Sequence, residues 1–130
     1  MVSVLIADDH ALFRDGLRSM LESRGVDVIG EARNGREAVD QAKRLRPDIV
    51  LMDLQMPVMD GFECTARIRK THPDLPILAL TAARSDEIEA KTFAAGMNDI
   101  VGKPFIPKEL RAKILSHLKN DRFPKNGKRA

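Results

Sequence analysis

The sequence predicts an α/β domain of five β-then-α units, (βα)5, folded as a doubly wound parallel five-stranded sheet with helices on both faces. Three observations carry this. Five short apolar runs alternate with stretches in which apolar residues recur at helical spacing. The links are short and punctuated by Gly, Pro and Asn. The third run, Ile49 to Met52, is apolar throughout, as a strand covered on both faces must be.

Val2–Ala7 is too short for a helix and rich in β-branched residues, and predicts the first strand. Phe13, Leu17, Met20 and Leu21 then share one helix face, which Gly25 closes. Val26–Ile29, of mixed polarity, suits an edge strand. Asn34-Gly35 precedes a helix with Ala38, Ala42 and Leu45 on one face, and Pro47 ends it. Asp48–Asp53 is the clearest strand, and a loop from Leu54 to Gly61 leads to a helix with Phe62, Ala66 and Ile68 inward. Ile77–Leu80 forms the fourth strand, ending at Thr81. Ser85 caps the next helix, whose first turn holds Asp86 and Glu87, and Gly96 stops it. Asp99–Val101 is the fifth strand, and Pro107 opens a last helix with Leu110, Ile114 and Leu118 inward.

The 130 residues suit one domain, read as 1–119, followed by a basic, flexible tail at 120–130. Hydrophobic residues at 43% against 32% charged exclude disorder. Cys64 is the only cysteine, which excludes an internal disulfide framework and a Cys-based zinc cluster. Apolar runs of about five residues fall far short of the ~20 that span a bilayer, and Met1–Ile6 lacks the basic start of a signal peptide. These features predict a cytoplasmic protein with no membrane partner. The pI of 9.2 misleads, because the surplus charge sits in the tail: residues 1–119 hold 18 basic and 18 acidic side chains. A nucleic-acid binder concentrates Lys and Arg on a folded face, so none is expected to bind this domain.

In a parallel sheet of this kind the site lies beyond the carboxyl ends of the strands. Asp8 and Asp9 follow the first strand, Asp53 ends the third, Thr81 the fourth, and Lys103 follows the fifth. Taken singly, each is more often a turn, a cap or a solvated charge. Taken together, they fall on one sheet edge. Three converging carboxylates repel and demand a proton or a shared cation. Oxygen ligands favour Mg²⁺, and carboxylate, hydroxyl, ammonium and Mg²⁺ together make a site for phosphoryl transfer. Asp53, on the most buried strand, is the expected nucleophile, giving an aspartyl phosphate. Asp8 and Asp9 are better placed for the cation, and Lys103 and Thr81 for the phosphoryl oxygens. His10 suits a solvent-facing helix start, His72 and His117 receive no role, and Cys64 reads as a packing residue.

Through Leu5-Ile6-Ala7-Asp8-Asp9, Asp53 to Gly61, Leu80-Thr81-Ala82 and Lys103-Pro104-Phe105, residues 2–118 resemble the receiver domain of bacterial two-component response regulators. The first half, Asp8-Asp9-His10 through Leu17, is similar to receivers attached to helix-turn-helix transcription factors. The second half, with Met56 to Gly61 and Ala95 to Asp99, is similar to receivers of hybrid histidine kinases. The resemblance implies the flavodoxin-like strand order 2-1-3-4-5 and a phosphorelay role. Asp53 takes the phosphoryl group from the phosphohistidine of a histidine kinase or phosphotransfer protein, and the domain is a phosphoprotein rather than an enzyme. It implies Mg²⁺ on Asp9, Asp53 and the Gln55 carbonyl, with Asp8 assisting through water. Thr81, Lys103 and N–H groups near Leu54 and Ala82 meet the phosphoryl oxygens, and the Lys103-Pro104 peptide is cis. Output, or a homodimer, uses the 84–118 face. The family carries Tyr or Phe three residues before the lysine, where this chain has Ile100, so a smaller switching shift is expected. Ala83 offers no group to orient a water, which implies a phosphate that is not unusually short-lived.

The rivals lack their own parts. An aspartyl phosphatase wants a second carboxylate two residues after the nucleophile, where Gln55 stands. A flavin or nucleotide module wants Gly, Ser or Thr after the first strand, where two aspartates would repel phosphate.

Overall fold

In the computed structural model, residues 1–122 are described, with side chains described to Leu118. The elements run β1 (Ser3–Ala7), α1 (Ala11–Ser23), β2 (Asp27–Ala32), α2 (Gly35–Leu45), β3 (Ile49–Asp53), α3 (Gly61–Arg69), β4 (Ile77–Thr81), α4 (Asp86–Ala94), β5 (Asp99–Gly102) and α5 (Pro107–Arg122). The strands form one parallel sheet in the order β2-β1-β3-β4-β5. α5 thus extends to Arg122; the expected flexibility of 123–130 lies outside the described residues.

The pleat divides the core in two. Val4, Ile6, Ile49, Leu51, Leu78, Leu80 and Val101 face α1 and α5, where Leu17, Leu21, Leu110, Ile114 and Leu118 meet them. The alternate residues Leu5, Ala7, Val50, Met52, Ile77, Ala79 and Ile100 face the other layer, with Ala38, Ala42, Cys64 and Ile68. Strict alternation along β1, β3 and β4 is what period-two side chains require when both faces are covered. Burial pushes the Cys64 thiol up to about 12, so it stays protonated, and its Sγ donates to Gly35 O at 3.3 Å.

Three helices begin with a side-chain cap, the expected Ser85 among them. Asn34, Asp60 and Ser85 are N-caps whose side chains accept from the N–H groups of Glu37, Glu63 and Ile88. Gly25 and Gly96 take positive φ, +80° and +105°, just past α1 and α4.

Two elements differ from expectation. β2 starts at Asp27 and runs three residues beyond Ile29, because Gly30, Glu31 and Ala32 pair with Leu5, Ile6 and Ala7 after a bulge. Two features of the packing accompany this extension. A Cβ on Gly30 would lie 2.5 Å from Gln41 Oε1 and 2.7 Å from Leu45 Cδ1, side-chain tips of α2 that would have to turn aside. Glu31 is covered by Arg14 (3.1 Å) and Arg18. In α3 the inward arc is Gly61, Cys64, Thr65 and Ile68, while Ala66 is exposed. The buried residues follow the i, i+3, i+4, i+7 rule, and Ala66 lies off that stripe.

The β3–α3 loop contains one strained residue. Val58 sits at φ +71° with Met59 N–H bonded to Pro57 O at 2.7 Å, a three-residue turn costly for a β-branched side chain. Its side chain is 75% exposed, so packing contributes little in return. Val58→Gly is expected to raise stability by about 1 kcal/mol, net of the extra chain entropy of glycine, as a denaturant midpoint shift reads it.

Candidate functional site

β1 and β3 are neighbours in the sheet, with Ala7 opposite Met52, so the next residues, Asp8 and Asp53, emerge side by side. Both are buried. Asp8 N–H donates to Ala32 O, and Asp8 Oδ1 accepts from His10 N–H at 2.8 Å, a local turn that folds the β1–α1 loop over the strand end. Asp9 is left at the surface. His10 is the N-cap position of α1 and mostly exposed, as expected, but its Nδ1 lies 3.2 Å from Asp8 Oδ1 and 3.1 Å from Asp9 Oδ1. One ligand atom from each of Asp8, Asp9, His10 and Asp53 falls within 4.8 Å of the others.

Lys103 reaches in from the end of β5. Its Nζ donates to Asp8 Oδ2 at 2.7 Å and lies 3.7 Å from Asp53 Oδ2. The Lys103-Pro104 peptide is cis. Thr81 ends β4, but its hydroxyl turns to its own loop, donating to Ala83 O (3.0 Å) and accepting from Ala83 N–H (3.1 Å). Gln55 N–H donates to Asp53 Oδ1 at 3.3 Å, and Leu54 N–H bonds Leu80 O at 3.3 Å, so neither donor is free in this state. Asp53, Gln55, Thr81, Ala82, Ala83, His10, Phe13 and Lys103 line one cleft of about 350 Å³.

Burial, and after it the adjoining Asp8 carboxylate, pushes the Asp53 carboxyl above the ordinary aspartate range, against the pull of Lys103 and Gln55 N–H. A carboxyl raised above its unfolded value of ~3.9 stabilises the fold below that pH and loses the contribution as pH rises through its folded pKa. Asp53→Asn is therefore expected to melt above the parent protein at ~pH 7 without metal, on the order of 1 kcal/mol or about 4 °C, the gap closing towards ~pH 4. Calorimetry at the two pH values checks this; equal midpoints at the higher pH would contradict a net cost of burying the charged carboxylate.

The residues fit a hard divalent cation. Three carboxylates, two of them buried, converge on one ammonium, and the donors are oxygens apart from the exposed His10 nitrogen.

Two groups that spacing did not single out also shape the site. Arg14 Nη1 donates to Asp8 O at 2.6 Å while its Nε bonds Glu31, tying the loop bearing the carboxylates to β2. Although burial pushes the Glu31 carboxyl up, hydrogen bonds from Arg18 and Arg14 hold it below the usual range. Phe13, counted in the sequence as a core residue of α1, lies under Lys103 with the ammonium 4.2 Å from its ring centroid.

The family model of the response regulator receiver domain matches residues 4–115. The chain belongs to that family. This receiver is 41% identical over 104 residues to the chemotaxis protein CheY of Thermotoga maritima, covering 80% of the chain and 87% of that protein. It is 39% identical over 97 residues to the response regulator GacA of Pseudomonas viridiflava, covering 74% of the chain but 45% of that protein. The receiver thus spans about half the length of that relative. Among solved structures, it matches the receiver domain of a sensor histidine kinase from Pseudomonas aeruginosa PAO1 with a TM-score of 0.83 and 34% identity, covering 90% of this chain and 97% of that one. That structure carries a magnesium ion coordinated in its active-site cleft. Receiver domains are signalling domains, and the strand order 2-1-3-4-5 found here is theirs. No helix among the described residues is long and apolar enough to cross a membrane.

Proposed function

We propose that this receiver accepts a phosphoryl group on Asp53 from the phosphohistidine of a histidine kinase or phosphotransfer protein. The observation that carries the proposal is a buried carboxylate, held above its ordinary pKa, opening on a cleft whose wall supplies an ammonium 3.7 Å away. An Asp53 carboxylate oxygen forms the new O–P bond as the P–N bond of the phosphohistidine breaks. The electron pair returns to the imidazole nitrogen, which takes a proton from solvent. Lys103 moves from Asp8 towards the phosphoryl oxygens. Thr81 exchanges its bond to Ala83 for one to the same group, which couples the chemistry to the β4–α4 loop. Asp8, Asp9, Asp53 and the Gln55 carbonyl hold Mg²⁺, which when bound neutralises charge on the transferred group. The domain turns over no external substrate and works in the cytoplasm as a relay component. The 84–118 face carries the signal to an output partner or a second copy, while the domain itself contacts no nucleic acid.

Ile100, buried at the position where the family carries an aromatic, has no polar atom to seek the surface, so the switch moves less around it. Ala83 presents no group to a water attacking the phosphate, which favours a lifetime longer than seconds.

Incubation with acetyl phosphate and Mg²⁺ followed by intact mass tests the proposal. One phosphoryl adduct is expected, absent in Asp53→Asn and absent without metal. Steady hydrolysis of an added phosphate ester, or an adduct that survives Asp53→Asn, would overturn it.

A further inference from the structure

We infer that Phe13 is a positioning residue for Lys103, holding the ammonium at the mouth of the phosphoacceptor cleft by a cation–π contact; this rests on the function proposed above. The lysine has four rotatable carbons and is tethered by one strong bond, to Asp8 Oδ2 at 2.7 Å, with Asp53 Oδ2 further off at 3.7 Å. One bond leaves the rest of a long, rotamer-rich side chain to be placed by whatever else it touches. The Phe13 ring faces it with the ammonium 4.2 Å from the centroid, well inside the range in which a ring quadrupole attracts a cation. Because ring and lysine both line the cleft that contains Asp53 and Thr81, this contact holds the charge on the cleft wall.

The ring is itself fixed. Phe105, two residues beyond Lys103, meets Phe13 edge to face, with centroids 5.8 Å apart and planes at 82°. The aromatic pair ties α1 to the segment following β5, so the lysine and the ring that receives it belong to one braced unit. A lysine with its rotamers already restricted loses less freedom in the transition state, and its charge is preorganised rather than recruited. Phe13 carries no polar or charged group of its own and acts through Lys103.

Two readouts test this. The first needs no metal or phosphoryl donor: the Lys103 Hε resonances are expected upfield of ordinary lysine, from the ring current, and to return to ordinary values in Phe13→Leu. The second is the rate of adduct formation from acetyl phosphate at saturating Mg²⁺. It is expected to fall about threefold to thirtyfold in Phe13→Leu. It is expected to fall partway when a trifluorinated phenylalanine, equal in shape but with a depleted ring face, replaces Phe13. A merely structural role would leave the fluorinated protein as fast as the parent. Ordinary Lys103 shifts in the parent protein, or an unchanged rate in the fluorinated one, would overturn the inference. A parent protein that forms no adduct, yet shows the upfield shifts, would overturn the phosphoacceptor function while leaving the contact itself established.

Discussion

Lys103→Met is expected to melt about 10 °C below the parent protein in the absence of divalent metal, and to recover most of that loss in saturating Mg²⁺. Asp8 is fully buried and its Oδ2 has Lys103 as its charged partner, with Asp53 sharing the same ammonium. Removing one member of a buried ion pair leaves an uncompensated charge, which costs about 3 kcal/mol. For a domain of this size that corresponds to roughly 10 °C. A ligand that binds the folded state alone restores stability by mass action, and a divalent cation does so here because it replaces the missing positive charge. On the proposed function, the rate of adduct formation is expected to stay low even with Mg²⁺, by about a hundredfold, since the metal would not replace the lysine as a donor to the phosphoryl oxygens. Thermal melts with and without Mg²⁺, alongside intact mass, separate the two effects. A metal-free variant that melts within ~2 °C of the parent would show that Asp8 does not depend on the ammonium.

Gly61→Ala produces a loss of similar size by a different route. A Cβ at this position would stand 2.5 Å from Asp53 O and 3.0 Å from Leu54 Cα, both main-chain atoms that no rotamer change can move. Gly61 N–H also bonds Leu54 O at 3.1 Å, so the helix start and the strand end are locked together. Relief requires α3 or the end of β3 to shift, at about 2–3 kcal/mol. Because the strand end carries Asp53, the shift also displaces a carboxylate of the cation site, and Mg²⁺ affinity is expected to weaken about tenfold, as one lost charge-assisted contact predicts. Gly16→Ala gives the opposite sign. It lies inside α1 with nothing within 4 Å of the added carbon, and alanine there is expected to stabilise by roughly 0.5–1 kcal/mol. Paired denaturation curves and a metal titration check both. An alanine at position 61 that leaves stability and metal affinity untouched would mean the close approach is not real.

The acid limb of the stability curve has a separate origin. Asp99, the first residue of β5, is pushed up by burial but held below the usual range by His117 Nε2 at 2.9 Å, Ile100 N–H and Lys113. Its lowered folded value contributes stability above the unfolded pKa and loses it as pH falls through the folded one, the reverse of Asp53. Nothing about His117 in the sequence pointed to this, since its partner lies eighteen residues away on another element.

What was legible in the chain was whatever is written at short range. Ile49 to Met52 declared a strand covered on both faces, Asn34 and Ser85 declared helix starts, and the ends of four strands declared that Asp8, Asp9, Asp53, Thr81 and Lys103 lie at one edge of the sheet. The parallel topology converts those positions into a site because every strand ends at the same edge, so period and chain order sufficed. Ala66 went the other way, since one residue of phase error in a nine-residue helix turns an inward position outward.

Local pattern determined the fold class and which residues sit at the carboxyl edge of the sheet. Only the tertiary structure decided how those residues spend their bonds. Glu31 reads as turn polarity until Arg14 and Arg18 cover it, Thr81 turns to Ala83 rather than to Asp53, and Phe13 joins the site through Lys103, ninety positions along the chain. The physical reason is one of range. Backbone preference and hydrophobic period act over a few neighbouring residues, whereas charge pairing and ring–cation attraction act through space, between groups that only the closed sheet brings within a few ångströms.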